Sequence, residues 1–579
     1  MRQSYKPQSF LIFLLIITLA SVTCGSFVWN GNASSSSNYY YRFTVDREGF
    51  TTAEINFNST ATTGESWVFV PKNRSSWNYF LTSESRIAQS EVIPTDQVPE
   101  FNQNLYFYRA FRFQYQSSGF FNMTIKFDFD NGALIMEPRG IFYSPQIGFQ
   151  PSSKGNAEVL FNDAFQINPD LAMVVGLDAN YQAEREKVDS HRVLFTLQEN
   201  VVRLEVEFSV DATPAVTAVK SSDNKTFTFN TVSRYGAYAS NVLRFYDRIY
   251  NLTTRLFNVT LDDVVVQWFL PDFQSLLTVG GYVPVFTGGL GEININIVFV
   301  RAVTGTVEVI ATHELVHRFL GKAGIPPNDF LWFHEGLAQF VSVNLVFDLG
   351  YEGGDSERSN LENAATQLIQ LLGDENFSEI NLQRWTPSYQ PPNVVVASLY
   401  AASYYVVSRL PQVAERDWIE YYSRFFELVG QLPSGFNGVK IKNISELALY
   451  LSQAANASVA STLNRRWGFA VADLYESPVQ DLIVEAGKAV GGVNPIFQPY
   501  KALADYVYQQ ALSTAEQGDW NRAGSLLQLS ITLANLAPLF TFLTIIGLLA
   551  LLVYVLVRRS RRPRPIVPRP PPEILQFSV

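Results

Sequence analysis

The chain has 579 residues and a formal net charge of −10. This acidic balance argues against a nucleic-acid-binding surface, which needs clustered positive charge. Hydrophobic residues make up 47% of the sequence, so sizeable cores can form, and the length allows roughly three to four domains of about 150 residues each.

The N-terminal end has the pattern of a secretory signal. Two basic residues precede the apolar run 10–20, and small residues follow it. This predicts a signal peptide over residues 1–25. The single cysteine, Cys24, lies at its end. Lipidation of Cys24 is one alternative, but Ser21 stands where a lipoprotein signal would carry leucine, so removal with or near the signal is favoured. The exported part then has no disulfide and depends on core packing.

Residues 27–215 have the pattern of a β domain. Apolar and polar residues alternate along 39–45, 121–129 and 201–210, and turn residues separate such runs. Alternation with a period of two is typical of strands with one buried face. A mostly antiparallel β-sandwich is therefore predicted.

After residue 215 the sequence pattern changes from strands alone to a mixture of helix and strands. Apolar residues at helical spacing predict a helix over 235–257, and strand-like runs follow at 264–270 and 293–300. Between these two runs lie Gly280-Gly281 and the glycine-rich stretch 288–292. Glycines before a strand permit close approach of a ligand backbone, and an extended peptide can add itself to a strand edge. The alternative is a flexible turn.

A histidine motif follows this strand. His313 and His317 enclose Glu314 in the pattern H-E-x-x-H, and Glu335 comes 18 residues after His317. Residues four apart lie on one helix face, so the two imidazoles can share one cation. Glu314 lies about 100° round the axis, where it can reach the metal's water. Glycines and prolines between His317 and Glu335 predict two helices joined by a short loop.

The surroundings of the motif strengthen the metal interpretation. The chain has only four histidines, and three of them fall within residues 313–334. The alternative, an exposed polar helix face, conflicts with the many apolar residues on the same helix. Buried imidazoles and carboxylates are costly unless they are paired or bind metal. The pattern therefore predicts a zinc hydrolase site.

The C-terminal third is largely helical by pattern. We predict a helical region over 351–480, a helical hairpin that acts as a spacer over 481–535, and a transmembrane helix over 536–557, which has no charged residue. A basic, proline-rich tail follows at 558–579, and positive charge favours the cytoplasmic side. This predicts a single-pass cell-surface protein with an extracellular N-terminal ectodomain. Ten N-x-S/T sequons are compatible with a glycoprotein.

Together these motifs resemble the gluzincin metallopeptidases, in particular the aminopeptidase N-like branch. The resemblance covers about residues 241–410 and depends on four motifs: Pro271-Asp272-Phe273, Gly289-Leu290-Gly291-Glu292, His313-Glu314-Leu315-Val316-His317 and Glu335-Gly336. It implies an α+β multidomain protein. A thermolysin-like catalytic domain, a small sheet plus helices, has its zinc-binding part over 216–350 and its helical part over 351–480.

The resemblance also implies roles for individual residues. His313, His317 and Glu335 would bind Zn²⁺, and Glu314 would be the general base. Tyr400 matches the family's oxyanion-binding tyrosine best in position, with Tyr404 and Tyr405 as the alternatives.

Two positions depart from the family pattern. Gly289 and Glu292 are all that remains of the segment with which family members bind a substrate's free amine. His334 replaces the usual asparagine, so it is expected to contact a ligand residue or the substrate, with metal ligation as the less favoured alternative.

Three functions remain open from the sequence. The first is a cell-surface zinc peptidase, aminopeptidase-like, that acts on peptide or protein substrates. The second is a zinc endopeptidase that processes surface proteins. The third is a non-catalytic envelope or adhesion protein that retains the fold, and the intact histidine and glutamate set argues against it. The sequence does not set the oligomeric state.

Overall fold

The computed structural model describes residues 37–560, apart from 102, 106, 177–179, 182–184, 188, 222–225, 273–275, 277–278, 287–288, 303 and 435–437. The predicted signal peptide and the tail beyond residue 560 lie outside the described residues. The chain divides into two compact units. One comprises the residues up to Phe426 and Ser461–Ala470, and the other comprises Glu427–Ala460 and the residues from Val471 onward.

The N-terminal part of the first unit is built from strands. They are β1 (Ser37–Val45), β2 (Thr51–Ser59), β3 (Thr63–Pro71), β4 (Trp77–Leu81), β5 (Ser85–Ile93), β6 (Tyr108–Ser117), β7 (Phe121–Phe129), β8 (Ala133–Met136), β9 (Arg139–Tyr143), β10 (Ile147–Gly148), β11 (Lys154–Phe161), β12 (Phe165–Gly176), β13 (Asn180–Tyr181), β14 (Arg185–Lys187), β15 (Arg192–Leu197) and β16 (Val201–Val210).

These strands form three sheets. Their orders are β14-β15-β11-β1-β2-β7-β4, β13-β12-β16-β9-β8 and β3-β6-β5, with β10 paired to β16. Most pairs are antiparallel, and β1 with β11 is parallel. Strand β2 shows why they form, because its apolar residues alternate inward with outward polar ones. Inward side chains from all three sheets share one core, as a sandwich requires.

A five-stranded sheet follows, in the order β17-β18-β19-β23-β20. Its strands are β17 (Val216–Lys220), β18 (Phe227–Val232), β19 (Val264–Phe269), β20 (Gly281–Tyr282) and β23 (Ile293–Asn296), and β21 (Val285–Phe286) pairs with β22 (Gly289–Leu290) beside it. Strands β18, β19 and β23 run parallel, whereas β20 is an antiparallel edge strand. Helix α1 (Gly236–Phe257) connects β18 to β19.

The predicted strand over 293–300 is shorter in the structure. It ends at Asn296, whose side chain accepts a hydrogen bond from the Val298 backbone at 2.9 Å. This bond starts a 3-10 helix over Ile297–Arg301. The edge of the sheet is therefore β20 rather than the strand over 293–300.

The remaining elements are helices. They are α2 (Thr306–Ala323), α3 (Pro327–Asp348), α4 (Glu352–Leu372), α5 (Val396–Val413), α6 (Trp418–Gly430), α7 (Ile444–Ala455), α8 (Val459–Arg465), α9 (Gln480–Gly492), α10 (Tyr500–Glu516) and α11 (Trp520–Ser560). The predicted pair of helices around the histidine motif is confirmed as α2 and α3.

Helix α11 combines two predicted elements. The second half of the predicted hairpin and the predicted span 536–557 form one helix of 41 residues, and Pro538 lies inside it. Among the described helices, α11 is long and apolar enough to cross a membrane by length and composition.

Candidate metal centre

Helix α2 positions the two motif histidines. Gly305 precedes the helix with a φ of 105°, a conformation that glycine adopts without strain. A Cβ there would lie 2.7 Å from the Cβ of Tyr351, so a larger residue would push the helix start away. The Gly305 backbone N–H donates to the Glu308 carboxylate at 3.0 Å. Both His313 and His317 are buried on this fixed helix.

Helix α3 brings the third donor. Gly324 ends α2 with a φ of 91°, and Pro327 opens α3, as proline favours at a first helical position. Glu335 is fully buried on α3. The next residue, Gly336, lets α5 come close, because a Cβ there would lie 2.4 Å from the Ser403 carbonyl oxygen. The glycine after the glutamate therefore brings α5 to the site.

The three donor atoms form a compact triangle. His313 Nε2 lies 3.1 Å from His317 Nε2 and 3.2 Å from Glu335 Oε2, and His317 Nε2 lies 3.6 Å from Glu335 Oε2. A tetrahedral zinc ion with ligands at about 2.0–2.1 Å needs donor separations of about 3.3–3.4 Å. Two imidazoles and one carboxylate are also a donor set that zinc prefers. These three residues have the donor atoms and spacing that could hold a zinc ion.

The charge states of the donors suit a cation. Burial alone would raise the pKa of Glu335, but the neighbouring His317 and His313 lower that pKa to about 2. Burial lowers the pKa of His313, whereas the Glu335 charge raises the pKa of His317 against the effect of burial. The Glu335 carboxylate is therefore anionic and His313 favours its neutral form, as metal binding requires, whereas a metal competes with a proton at His317.

Glu314 lies beside the donors without joining them. Its side chain is 1% exposed, and Oε2 has no hydrogen-bond partner among the described residues. Burial raises the pKa of Glu314 to about 8, with a smaller contribution from the Glu335 charge. A buried carboxylate oxygen without a partner costs free energy. A position next to a metal and its water explains why such a group is kept.

His334 contacts His317 at the ring nitrogen that does not face the donor triangle. Its Nε2 lies 2.8 Å from the Ile325 carbonyl oxygen. A carbonyl only accepts, so Nε2 carries the proton, and the other nitrogen of neutral His334, Nδ1, accepts. This nitrogen lies 3.2 Å from His317 Nδ1, and the two rings are within 12° of parallel. Because His317 donates from Nδ1, its Nε2 is the nitrogen that faces His313 and Glu335 in the donor triangle.

Tyr400 is the predicted tyrosine that the structure brings to the centre. It is buried against Trp385, with ring centroids 4.8 Å apart. Its side chain interacts with Glu335, and burial, together with the Glu335 and Glu314 charges, raises the pKa of Tyr400 well above its usual value.

The two alternative tyrosines point elsewhere. The Tyr404 hydroxyl donates to Glu362 at 3.0 Å, and the Tyr405 side chain interacts with Glu375 and Arg409. Among the three candidates, Tyr400 is therefore the one that lies beside Glu335 and Glu314.

The predicted amine-binding segment lies beside Arg318 on α2. Gly289 lies in the β21–β22 hairpin, which is held on α2 because Arg318 donates to the Gly291 carbonyl oxygen at 2.6 Å. Glu292 is exposed. The segment against Glu314 is β20, since a Cβ on Gly281 would lie 2.9 Å from Glu314 Cγ. The Gly280-Gly281 pair was the only sequence signal for this contact.

Comparisons with known proteins give no close relative. No protein-family model and no curated protein matches the chain. Among solved structures, it is similar to yeast LTA4 hydrolase in complex with bestatin, at 11% identity over 87% of this chain and 77% of that one, with a TM-score of 0.30. It is also similar to a mutant M1 zinc metallopeptidase from Deinococcus radiodurans, at 13% identity over 76% and 96%, with a TM-score of 0.29. Such distant likenesses carry no functional argument, so the assignment depends on the side chains described above.

Proposed function

We propose that the protein is a zinc-dependent peptidase that hydrolyses peptide bonds in peptide or protein substrates. The observation that carries this proposal is the triangle of His313, His317 and Glu335 with the buried, unpartnered Glu314 beside it. A metal site without a role in catalysis would not need a second buried carboxylate next to the donors. Comparing hydrolysis of a peptide mixture by zinc-loaded and chelator-treated protein tests the proposal.

The proposed mechanism assigns one task to each residue. When bound, zinc supplies a water of lowered pKa and polarises the substrate carbonyl. Glu314 accepts the proton of the attacking water and passes it to the leaving amine. Glu314 is buried beside His317 and Glu335, so its carboxylate lies where it can accept this proton and later donate it. The Tyr400 hydroxyl donates a hydrogen bond to the developing oxyanion.

His334 is proposed to hold His317 in the tautomer that binds metal. Replacing His334 by alanine is expected to lower zinc affinity about 10- to 100-fold, as loss of a partner behind a metal ligand does. Competition with a chelating dye measures this affinity. His334→Asn should recover most of it, because the amide oxygen can accept from His317 Nδ1. Equal zinc affinity in the wild type and His334→Ala would rule out this positioning role.

The aminopeptidase and endopeptidase candidates differ in where they cleave the substrate. An aminopeptidase needs a carboxylate to bind the substrate's free amine, and Glu292, with Gly289, is the candidate for that role. However, Glu292 is exposed, and the residues of the strand region against Glu314, 279–284, include no carboxylate. An extended substrate can pair with an edge strand. Without a carboxylate that binds the free amine, the substrate can continue on both sides of the cleaved bond. This observation favours the endopeptidase alternative.

Peptides with blocked N-termini distinguish the two modes. We expect acetylated peptides to be cleaved at internal bonds at rates similar to those of the free peptides, with the products identified by mass spectrometry. Glu292→Ala should then change kcat/KM little, as should a control change at another exposed glutamate, Glu379→Ala. Loss of cleavage on acetylation, with a marked effect of Glu292→Ala alone, would instead establish the aminopeptidase mode.

The location is part of the same proposal. We propose that α11 anchors the protein in a membrane through residues 536–557, with the zinc site on the outer face of the cell. Arg558 and Arg559 at the end of α11 favour a cytoplasmic C-terminus.

A further inference from the structure

The start of α10 packs against the part of α11 that is predicted to lie in the membrane. The Tyr500 hydroxyl is 2.6 Å from Thr544 Oγ1, and the Tyr500 ring centroid is 5.4 Å from that of Phe540. Both α11 residues lie within the predicted span 536–557. Ser530 Oγ donates to the Ala504 carbonyl oxygen at 2.9 Å, so the second turn of α10 is level with α11 residues before the span. The Tyr500 side chain reaches residues several positions inside it.

Helix length shows that this level is inside the bilayer. Arg558 and Arg559 fix the cytoplasmic end of the apolar stretch near residue 557. The hydrocarbon core is about 30 Å thick and needs roughly 20 helical residues. The stretch from Thr544 to residue 557 covers only about 20 Å at 1.5 Å per residue. The bilayer must therefore extend past Thr544 and Phe540, and Tyr500 lies beside them.

The surface around Tyr500 is apolar. A 3-10 turn over Pro495–Phe497 precedes α10, and Ile496 on this turn is 72% exposed. On α10, Leu503 is 46% exposed and Tyr506 is 62% exposed, and residues three apart share a helix face. These large apolar side chains would all contact water if the second unit stood clear of the membrane.

The same surface has no exposed charge. Between residues 493 and 506 the charged side chains are Asp505 and Lys501. The partly buried Asp505 carboxylate accepts hydrogen bonds from Lys442 Nζ at 2.8 Å and 3.0 Å. Lys501 is buried, and its Nζ donates to the Val493 carbonyl oxygen at 2.7 Å. An exposed apolar patch without charge, with a tyrosine at its border, is typical of surfaces at the membrane interface.

We propose that the Pro495–Phe497 turn inserts into the outer leaflet beside α11, with the exposed face of the first two turns of α10 at the membrane interface. The occupant of this face is lipid, because the face is continuous with the membrane helix. The inference rests on the proposal that α11 crosses a membrane. The second unit is then held at the bilayer surface at a fixed depth, instead of standing on a free helical stalk.

Spin labels on the full chain in phosphatidylcholine bilayers test this inference. Single cysteines are introduced into a Cys24→Ser background as Ile496→Cys and Leu503→Cys, with Leu548→Cys as the membrane reference. Ser525→Cys, at an exposed position near the start of α11, is the water reference. Relaxation by oxygen and by a water-soluble nickel chelate then reports the depth of each label. We expect the label at 496 to be protected from the chelate, as the label at 548 is, the label at 503 to be partly protected, and the label at 525 to be relaxed.

Two results would overturn the inference, and they differ. If the labels at 496 and 503 are relaxed by the chelate as strongly as the label at 525, while 548 is protected, α11 is an anchor and the α10 face is not inserted. If the label at 548 is relaxed as well, α11 does not cross the bilayer, and the anchoring proposal fails together with the inference.

Discussion

Replacing Glu314 by glutamine is expected to lower kcat/KM for peptide cleavage by about 10²- to 10⁴-fold, the range typical of a lost general base. Zinc content should stay at the wild-type level, because His313, His317 and Glu335 supply the donor triangle without Glu314. The amide keeps the shape of the carboxylate but cannot accept a proton. A quenched peptide substrate gives the rate, and elemental analysis of the same sample gives the zinc content.

A matched control separates this effect from a general loss of charge. Glu379 is an exposed glutamate outside the donor triangle, and Glu379→Gln should retain wild-type activity. Wild-type activity in Glu314→Gln, by contrast, would remove Glu314 from the mechanism.

Glu314→Gln is also expected to change the pH dependence of the stability of the metal-free protein. In the folded chain the pKa of Glu314 is raised to about 8, whereas an unfolded chain releases that proton near pH 4.3. The contribution of Glu314 to stability is therefore fully present below about pH 4 and is lost as the pH rises to about 8. Metal-free wild type should lose stability relative to Glu314→Gln across this interval, as measured by denaturant unfolding at several pH values.

Local spacing made the donor set predictable. His313 and His317 are one helical turn apart, so helix geometry alone brings their imidazoles together. The glycines and prolines after His317 indicated the turn that brings Glu335 back. In the structure, Gly324 and Pro327 have those roles at the helix ends. Tyr400 lies on a separate helix, and only a family pattern gave its position.

Contacts between distant segments were not predictable in the same way. The orientation of His334 depends on the Ile325 carbonyl, which is presented by the turn between α2 and α3. Strand β20 has two residues, too few for an alternating pattern, so the glycine-rich stretch around Gly289 and Glu292 gave the stronger signal. Pro538 lies inside α11 without ending the helix, because proline removes one backbone donor without always ending a helix.

Replacing Glu335 by glutamine is expected to remove zinc as well as activity. Glu335 is the only anionic donor of the three, and the amide oxygen that replaces its carboxylate is neutral. The loss of zinc affinity should exceed the 10- to 100-fold typical of residues that only support a ligand. Thermal unfolding at increasing zinc concentration measures it, because a bound ligand stabilises the folded state by about 4 kcal/mol at 1,000 times its Kd. The wild type should show this rise, and Glu335→Gln should show almost none at the same concentrations.

The control for this change is another carboxylate with defined partners. Glu362 accepts hydrogen bonds from Tyr404 and Arg409 on α5, and Glu362→Gln should keep the zinc-dependent rise in stability. If Glu335→Gln binds zinc as the wild type does, the donor triangle is not the metal site, and the peptidase proposal loses its main support. If Glu335→Gln loses zinc and activity while Glu314→Gln loses activity alone, holding the metal and moving the proton are separate tasks of two buried carboxylates.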